Sequence, residues 1–367
     1  MLKRLHLRNF TVFADAEFEF GEGLNVLVGT NGTGKTHVLK AGYTMMFVLE
    51  VEAMNTEVKF DKANGLFVLE PSVAKLRKVF QPIPFVTNEL IRRNNGSHYN
   101  EESATINSIV TQPGTMLSGE FLLAPTHQRA RATITPDFSV VPEGDNEGKP
   151  VFIPAKEVLT MGWLLPIYDL REIPIDETYP DLLRLLPVIP LKNVKSGIEN
   201  ILGKLAKLIG GKVEEESGRF YLAAPDQPRL EMNLVAEGMR KFATLYKLLA
   251  SGTLTPETTL FWDEPEANLN PALLKEMAVV LTDLAQAGFQ IILATHSLFL
   301  MKELYLLSRQ RKQLVRYFGL YAGEKGDVQV EKQDDFMQLQ HIAAIDAELA
   351  QTFDFDEVLD QDYAGDS

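Results

Sequence analysis

Cysteine is absent from the 367 residues, which excludes disulfides and thiolate metal sites and fits a reducing compartment. No run of about 18 apolar residues occurs, so no membrane span is expected. The opening stretch MLKRLHLRNF alternates apolar and basic side chains and lacks the apolar centre of a secretion signal. A cytoplasmic protein with no membrane partner is therefore expected. Basic residues also run out. No lysine or arginine follows Lys332, whereas ten acidic residues do, from Asp334 to Asp366. Setting those ten aside brings the net charge of −14 to −4 for residues 1–332. A near-neutral body argues against broad attraction to phosphates and leaves room for a local basic groove. The acidic tail reads either as a solvated terminus or as a docking segment for a basic partner, with Phe353, Phe355 and Tyr363 as anchors. What remains is ordinary for a globular chain: 45% hydrophobic and 23% charged residues, enough to bury a large core.

Residues 2–10 and 12–20 alternate as strands do and end at Gly21-Glu22-Gly23. Leu24 to Val28 is an apolar run broken only by Asn25, the pattern of a buried central strand. A helix from about Lys35 to Met54 follows a glycine-rich loop. The middle is less regular. It predicts a helix over Val73–Arg93 with Pro82 and Pro84 inside it, then β-like stretches at 104–109, 115–124 and 131–134. A short strand at Val151–Pro154 and helices near 156–168, 176–186 and 194–209 come next. Lys192, Lys195, Lys204 and Lys207 around the last helix read as a solvated face or as part of a nucleic-acid or partner groove. There is no internal repeat and no sustained heptad. Strong periodicity returns with a helix over Gly238–Ala250, a buried strand Thr258–Trp262 and a helix opened by Asn270-Pro271 and stopped by Gly288. Phe289–Thr295 is another buried strand. Apolar strands alternating with helices predict an α/β fold with a parallel sheet covered by helices.

Three elements carry chemistry. Gly29-Thr-Asn-Gly-Thr-Gly-Lys-Thr36 fits G-x-x-x-x-G-K-[ST] between a buried strand and a helix, the context this motif requires. Its glycines let backbone N–H groups curl round phosphate oxygens at a helix N-terminus. Asn31, Gly32, Thr33, Gly34, Lys35, Thr36 and the adjoining His37 are the candidate ATP-binding residues, with Lys35 on the β- and γ-phosphates and the Thr36 hydroxyl on Mg²⁺. The strand Thr259-Leu-Phe-Trp ends in Asp263-Glu264. Asp263 is a candidate magnesium ligand, and Glu264 can orient and deprotonate an attacking water. His296 directly follows the strand Gln290–Thr295, at the carboxyl edge of a parallel sheet where ligands bind, within reach of a γ-phosphate.

Together these motifs resemble the ABC ATPase superfamily, and within it the SMC- and RecF-like branch. The resemblance covers roughly residues 1–50 and 229–300. It rests on Leu5-His-Leu-Arg-Asn-Phe10 with Gly23-Leu-Asn-Val, on Asp263-Glu-Pro-Glu-Ala-Asn-Leu-Asn-Pro271 and on Ala294-Thr-His-Ser297. It implies a P-loop ABC-type head (1–54 and 216–332) with a central mixed or parallel sheet, a compact α+β insertion lobe (55–215) and the acidic tail (333–367). It further implies ATP hydrolysis between two heads, Arg8 and Asn9 near the adenine, and Ala236, Glu237 and Gly238 as the signature loop offered to the other head. Ala236 stands where the family has serine, so slow hydrolysis is expected, with the α-helix terminus and Arg240 or Lys241 making up the contact. Val151-Phe-Ile-Pro-Ala-Lys-Glu157 and Glu237-Gly-Met-Arg-Lys241 resemble bacterial AAA-15/AAA-21-type ATPases, placing Lys156 and Glu157 at the Q-loop. That likeness implies an oligomeric ATPase that regulates an effector protein, a nuclease or toxin encoded nearby, in anti-phage defence. The alternatives are a RecF-like DNA-repair ATPase that binds nucleic acid, and a scaffold that binds ATP without turnover.

Overall fold

The structure is a computed structural model. It describes residues 1–49, 59–61, 66–68, 71–82, 87–92, 103–112, 115–123, 130–136, 149–171, 173–323, 326–341 and 351. The acidic tail beyond 341 thus lies almost wholly outside the described residues.

The alternating first twenty residues form an antiparallel hairpin of β1 (Leu2–Phe10) and β2 (Phe13–Glu19), with Leu5 opposite Phe18. One face is apolar, and Leu2, Leu5, Leu7, Phe13 and Phe18 are buried. The apolar run becomes β3 (Leu24–Gly29), which leads through the glycine-rich loop into α1 (Lys35–Phe47). Residues 48–49 continue as a π turn, and the expected remainder of the helix to Met54 lies outside the described residues. The strands β4 (Lys59–Asp61) and β5 (Leu66–Val68) precede α2 (Pro71–Phe80). Here the expectation of a helix to Arg93 fails. Pro82 lacks an N–H and crowds the residue before it, and Gln81 escapes to φ +50°. The meander β6 (Ala104–Gln112), β7 (Thr115–Leu123) and β8 (Ala130–Pro136) then joins the N-terminal hairpin. The result is a seven-stranded antiparallel sheet in the order β2-β1-β6-β7-β8-β5-β4.

A second sheet begins with β9 (Val151–Ile153). Helix α3 (Leu164–Leu170) starts later than the predicted 156, because residues 154–163 make turns that bury Glu157 and Val158. Helices α4 (Thr178–Leu185) and α5 (Ser196–Ile209) fall where periodicity put them. A small sheet of β10 (Lys212–Glu216), β11 (Arg219–Ala223) and β12 (Leu230–Glu231) was not anticipated. The remainder is α6 (Glu237–Ala250), β13 (Thr259–Asp263), α7 (Pro271–Gln286), β14 (Gln290–Thr295), α8 (Leu298–Arg311), β15 (Val315–Ala322) and β16 (Val328–Gln333). The Asn270 side chain caps α7 by accepting from Leu273 N, with Pro271 in the first turn. The central sheet has the order β16-β15-β3-β14-β13-β9. All its pairings are parallel except β15 with β16, so it is mixed, and the fold is α/β as expected.

Helix α1 lies between the two large sheets. A Cβ on Gly42 would meet the Phe261 ring at 2.9 Å and Leu2 at 3.0 Å, so the helix touches both at a point where only glycine fits. One core joins the hairpin, α1 and the near face of the central sheet. The other joins the far face to α4 through α8. The described elements of 55–215 are divided between the sheets: β4 to β8 extend the antiparallel one, β9 edges the central one, and α4 and α5 contribute to its core. Gln290 ties the layers together. Its amide donates to the carbonyls of Leu2 (2.7 Å) and Gly21 (2.8 Å) and accepts from Leu2 N (2.8 Å) and Thr259 Oγ1 (2.7 Å), leaving nothing unsatisfied in a fully buried site. Among the described residues no helix is long and apolar enough to cross a membrane.

Phe318 of β15 is fully buried, with its ring 5.6 Å from Phe18 and 5.3 Å from Phe20 of the other sheet's hairpin. Phe318→Ala should leave a cavity at this junction and destabilise the fold by about 3–5 kcal/mol, read as a lowered urea midpoint.

Candidate functional site

The parallel register sets the site. Strand β14 lies between β3 and β13, with Val28 opposite Thr295 and Ala294 opposite Asp263. The residues that follow these strands therefore emerge together at one edge: the loop after Gly29, then His296, then Glu264. In the loop Gly32 and Gly34 take φ +84° and +86°, which glycine adopts without strain. A Cβ on Gly34 would strike Val12 at 2.6 Å and the Phe13 ring at 2.8 Å, so the loop rests directly on the β1–β2 turn. At Gly32 nothing lies within 4 Å, and both it and Asn31 are exposed. Thr33 Oγ1 closes the loop by donating to the Thr30 carbonyl at 2.8 Å.

Lys35 is buried and folded back, donating to the carbonyls of Gly29 (2.7 Å) and Thr30 (2.9 Å). Burial holds its pKa below the usual lysine range, against the opposing charges of Glu264 and Asp263. The Thr36 hydroxyl sits 3.0 and 3.2 Å from the two carboxylate oxygens of Asp263. Burial pushes Asp263 up to about 6 despite that bond, with the neighbouring Glu264 charge adding to the rise. His37 is drawn down to about 4 by burial and then by Lys40, so its ring is neutral near pH 7. It packs beside Phe80.

Glu264 departs from strand geometry at φ +46°, an uncommon position for a residue with a side chain. Two bonds hold it there. Its N–H donates to the Ala294 carbonyl at 3.0 Å, and its carbonyl accepts from the buried Lys241 Nζ at 2.8 Å. His296 Nδ1 stands 3.5 Å from Glu264 Oε1 and 3.6 Å from Glu266 Oε1. Lys35, Thr36, Asp263, Glu264 and His296 are thus gathered at one edge.

Other sequence candidates fall nearby with different surroundings. Ala236 and Glu237 are exposed at the start of α6, while Gly238 is pressed against the turn after β13. A Cβ there would lie 2.8 Å from the Asn268 carbonyl, and Asn268 Nδ2 donates to Glu237 Oε1 at 2.8 Å. Arg240 and Lys241, expected to face outward, both turn into their own chain. Arg240 pairs with the buried Glu157 at 2.9 Å, and Lys241 reaches Glu264. Glu157 is thereby tied to α6, with burial raising its pKa against the lowering effect of Arg240, whereas Lys156 is exposed. Arg8 is exposed at the end of β1, in register with Asp15 and Thr105. Asn9 is buried near the end of β1, its carbonyl accepting from Arg92 N at 2.9 Å and its amide 3.5 Å from the Ser103 carbonyl.

Sequence reasoning passed over Glu266, Lys40 and the inward role of Lys241. Lys40 pairs with Asp176 at 2.6 Å and counters the negative charge of Asp263. The one available signal for Glu266 was a third acid in Asp263-Glu-Pro-Glu266, in a stretch too short to be a solvated helix face.

A family model described as "AAA domain, putative AbiEii toxin, Type IV TA system" matches residues 130–302, and one described as "AAA domain" matches residues 4–41. The SMC head domain from Thermotoga maritima superposes with a TM-score of 0.50 at 15% identity, over 90% of this chain and 98% of that one. An SMC head bound to the C-terminal winged-helix domain of ScpA gives 0.55 at 14% identity, over 90% and 97%. The chain therefore has the fold of these SMC head domains. The DNA replication and repair protein RecF of Salinibacter ruber is 31% identical over 78 residues, 21% of this chain and 19% of that protein. The chain spans about a fifth or less of the length of the curated relatives it matches.

The elevated Asp263 pKa has a measurable sign. Between about 4 and 6 the folded protein holds a proton that the unfolded chain releases, so stability falls as pH rises through that window and the cost is complete above it. In nucleotide- and magnesium-free protein, Asp263→Asn should therefore stabilise the fold by about 3 kcal/mol at pH 7.5, since each tenfold change in proton affinity is worth roughly 1.4 kcal/mol. Urea titrations should show the gain shrinking towards pH 4.

Proposed function

We propose that this chain binds Mg·ATP at the edge formed by β3, β14 and β13 and hydrolyses it slowly. The observation that carries the reading is the Thr36 hydroxyl against the Asp263 carboxylate at 3.0 Å. A hydroxyl and a carboxylate brought together from two elements form the oxygen donor pair a magnesium ion takes. Thr36 and Asp263 would hold the ion, which neutralises charge on the β- and γ-phosphate oxygens. Backbone amides of Asn31 to Thr36 and the start of α1 would cradle the phosphates, with His37 alongside. Lys35 would leave the carbonyls of Gly29 and Thr30 for the phosphate oxygens. Glu264 would accept a proton from the attacking water as its oxygen bonds to the γ-phosphorus and the bond to the β,γ-bridging oxygen breaks. His296 would donate to the γ-phosphate. Arg8 and Asn9 would border the adenine.

Ala236, Glu237 and Gly238 would meet the triphosphate of a second head in a homo-oligomer, with the α6 N-terminus in place of a serine hydroxyl. That missing hydroxyl favours slow, switch-like turnover, with the head, the insertion and the acidic tail as functional divisions of the chain. We place the protein in the cytoplasm, regulating an effector, a nuclease or toxin, in anti-phage defence. The match over 130–302 to a family described by a toxin and a toxin–antitoxin system supports this. A RecF-like role on DNA is the second reading, favoured by the 78-residue RecF match.

Calorimetry should give a clear Mg·ATP binding heat that Lys35→Ala abolishes. Glu264→Gln should retain binding and lose phosphate release by about 100-fold or more. No heat with the wild type would sink the reading. For the partner, co-expression with neighbouring genes should yield a complex whose mass changes with ATP; ATP-dependent DNA binding with a steep salt slope, and no protein complex, would favour the second reading.

A further inference from the structure

One buried carboxylate at this edge has no part in the phosphate chemistry above. Glu266 is 7% exposed. Its Oε1 accepts from Thr295 Oγ1 at 2.6 Å and from the His296 backbone N–H at 3.0 Å. Thr295 Oγ1 in turn accepts from Ser297 N at 3.0 Å, and Ser297 Oγ caps α8 by accepting from Leu300 N at 3.2 Å. The ladder explains the need. Pairing between β13 and β14 ends at Asp263 and Ala294, so the His296 N–H lies beyond the strand that would have satisfied it. Glu266 supplies the missing acceptor from the turn that follows β13. A chain of hydrogen bonds then runs from Glu266 through Thr295 and Ser297 into the first turn of α8, each link polarising the next.

The other oxygen, Oε2, is buried without a hydrogen-bond partner among the described residues. A buried carboxylate needs a compensating charge. Lys241 of α6 provides one: burial draws it down to about 8, and Glu266 is the foremost of the acids opposing that fall. The same lysine donates to the Glu264 carbonyl where the backbone is strained. Both sides of the site, the histidine and the water-activating acid, thus depend on groups that Glu266 touches or balances.

We propose that Glu266 is a positioning residue, which fixes His296 through its backbone N–H and through Thr295 and thereby sets the discrimination between ATP and ADP. The inference rests on the reading that His296 faces the γ-phosphate, but its first test needs no nucleotide. Hydrogen exchange of the apo protein over residues 290–300 should show the His296 and Ser297 amides protected in wild type and in Glu266→Gln, whose amide oxygen accepts the same two bonds. Glu266→Ala should exchange there at least about tenfold faster, the equivalent of one lost hydrogen bond. Calorimetry with Mg·ATP and Mg·ADP forms the second arm. Glu266→Ala should keep the ADP affinity within about twofold while the ATP-over-ADP preference drops about tenfold, and Glu266→Gln should restore the preference. Thr295→Val, which removes one donor only, should fall between them. Unchanged exchange and preference in Glu266→Ala would overturn the proposal, as would Glu266→Gln behaving like Glu266→Ala in both arms. Wild-type protein that binds neither nucleotide but shows the exchange pattern would overturn the ATP reading and leave the positioning standing.

Discussion

The parallel register of β3, β14 and β13 is the constraint from which the rest follows. Because the three strands run the same way with Val28, Thr295 and Asp263 near a common level, whatever follows each of them is delivered to the same edge. A glycine loop, a histidine and a pair of acids far apart in the chain become neighbours without any loop having to travel. The helices and the antiparallel sheet serve this arrangement. Gly42 and Gln290 lock α1 and β1 against the central strands, so the loop between β3 and α1 is held from both ends.

Much of this was legible in the residues. Short apolar runs bounded by turn residues read as strands buried on both faces, and the loop and acids at their ends inherit their position from that. Asn270-Pro271 and Gly288 marked α7 because capping and φ > 0 are local properties. Legibility failed where structure depends on partners distant in sequence. Strands β10 to β12 carry many charges and pair only with one another, so no apolar period announced them. The resemblance assigned 55–215 to a compact insertion lobe, and no local pattern could show that β6 within it pairs with β1. Arg240 and Lys241 looked like outward cations at a helix start, where charge alone cannot reveal that Glu157 and the Glu264 carbonyl lie behind them. The third acid of Asp263-Glu-Pro-Glu266 was visible but its use was not, for a related reason: its worth comes from an N–H left over where a ladder ends.

Strain and burial are concentrated at the acids. Glu264 sits in the left-handed region, Asp263 is buried enough to raise its pKa, and Lys241 is buried enough to lower its own. Each would be costly alone. Placed together they compensate, since a buried cation, a strained carbonyl that needs a donor and a pair of carboxylates satisfy one another. Sites with this composition keep their geometry only as a set.

The posture of Lys35 has a consequence of its own. Its ammonium already satisfies two carbonyls of the loop it belongs to. A monatomic anion such as chloride would have to displace both with a single contact and would gain little. A chain of linked phosphates can engage the loop amides first and recruit the lysine afterwards, so the resting loop screens its visitors by the number of oxygens they bring.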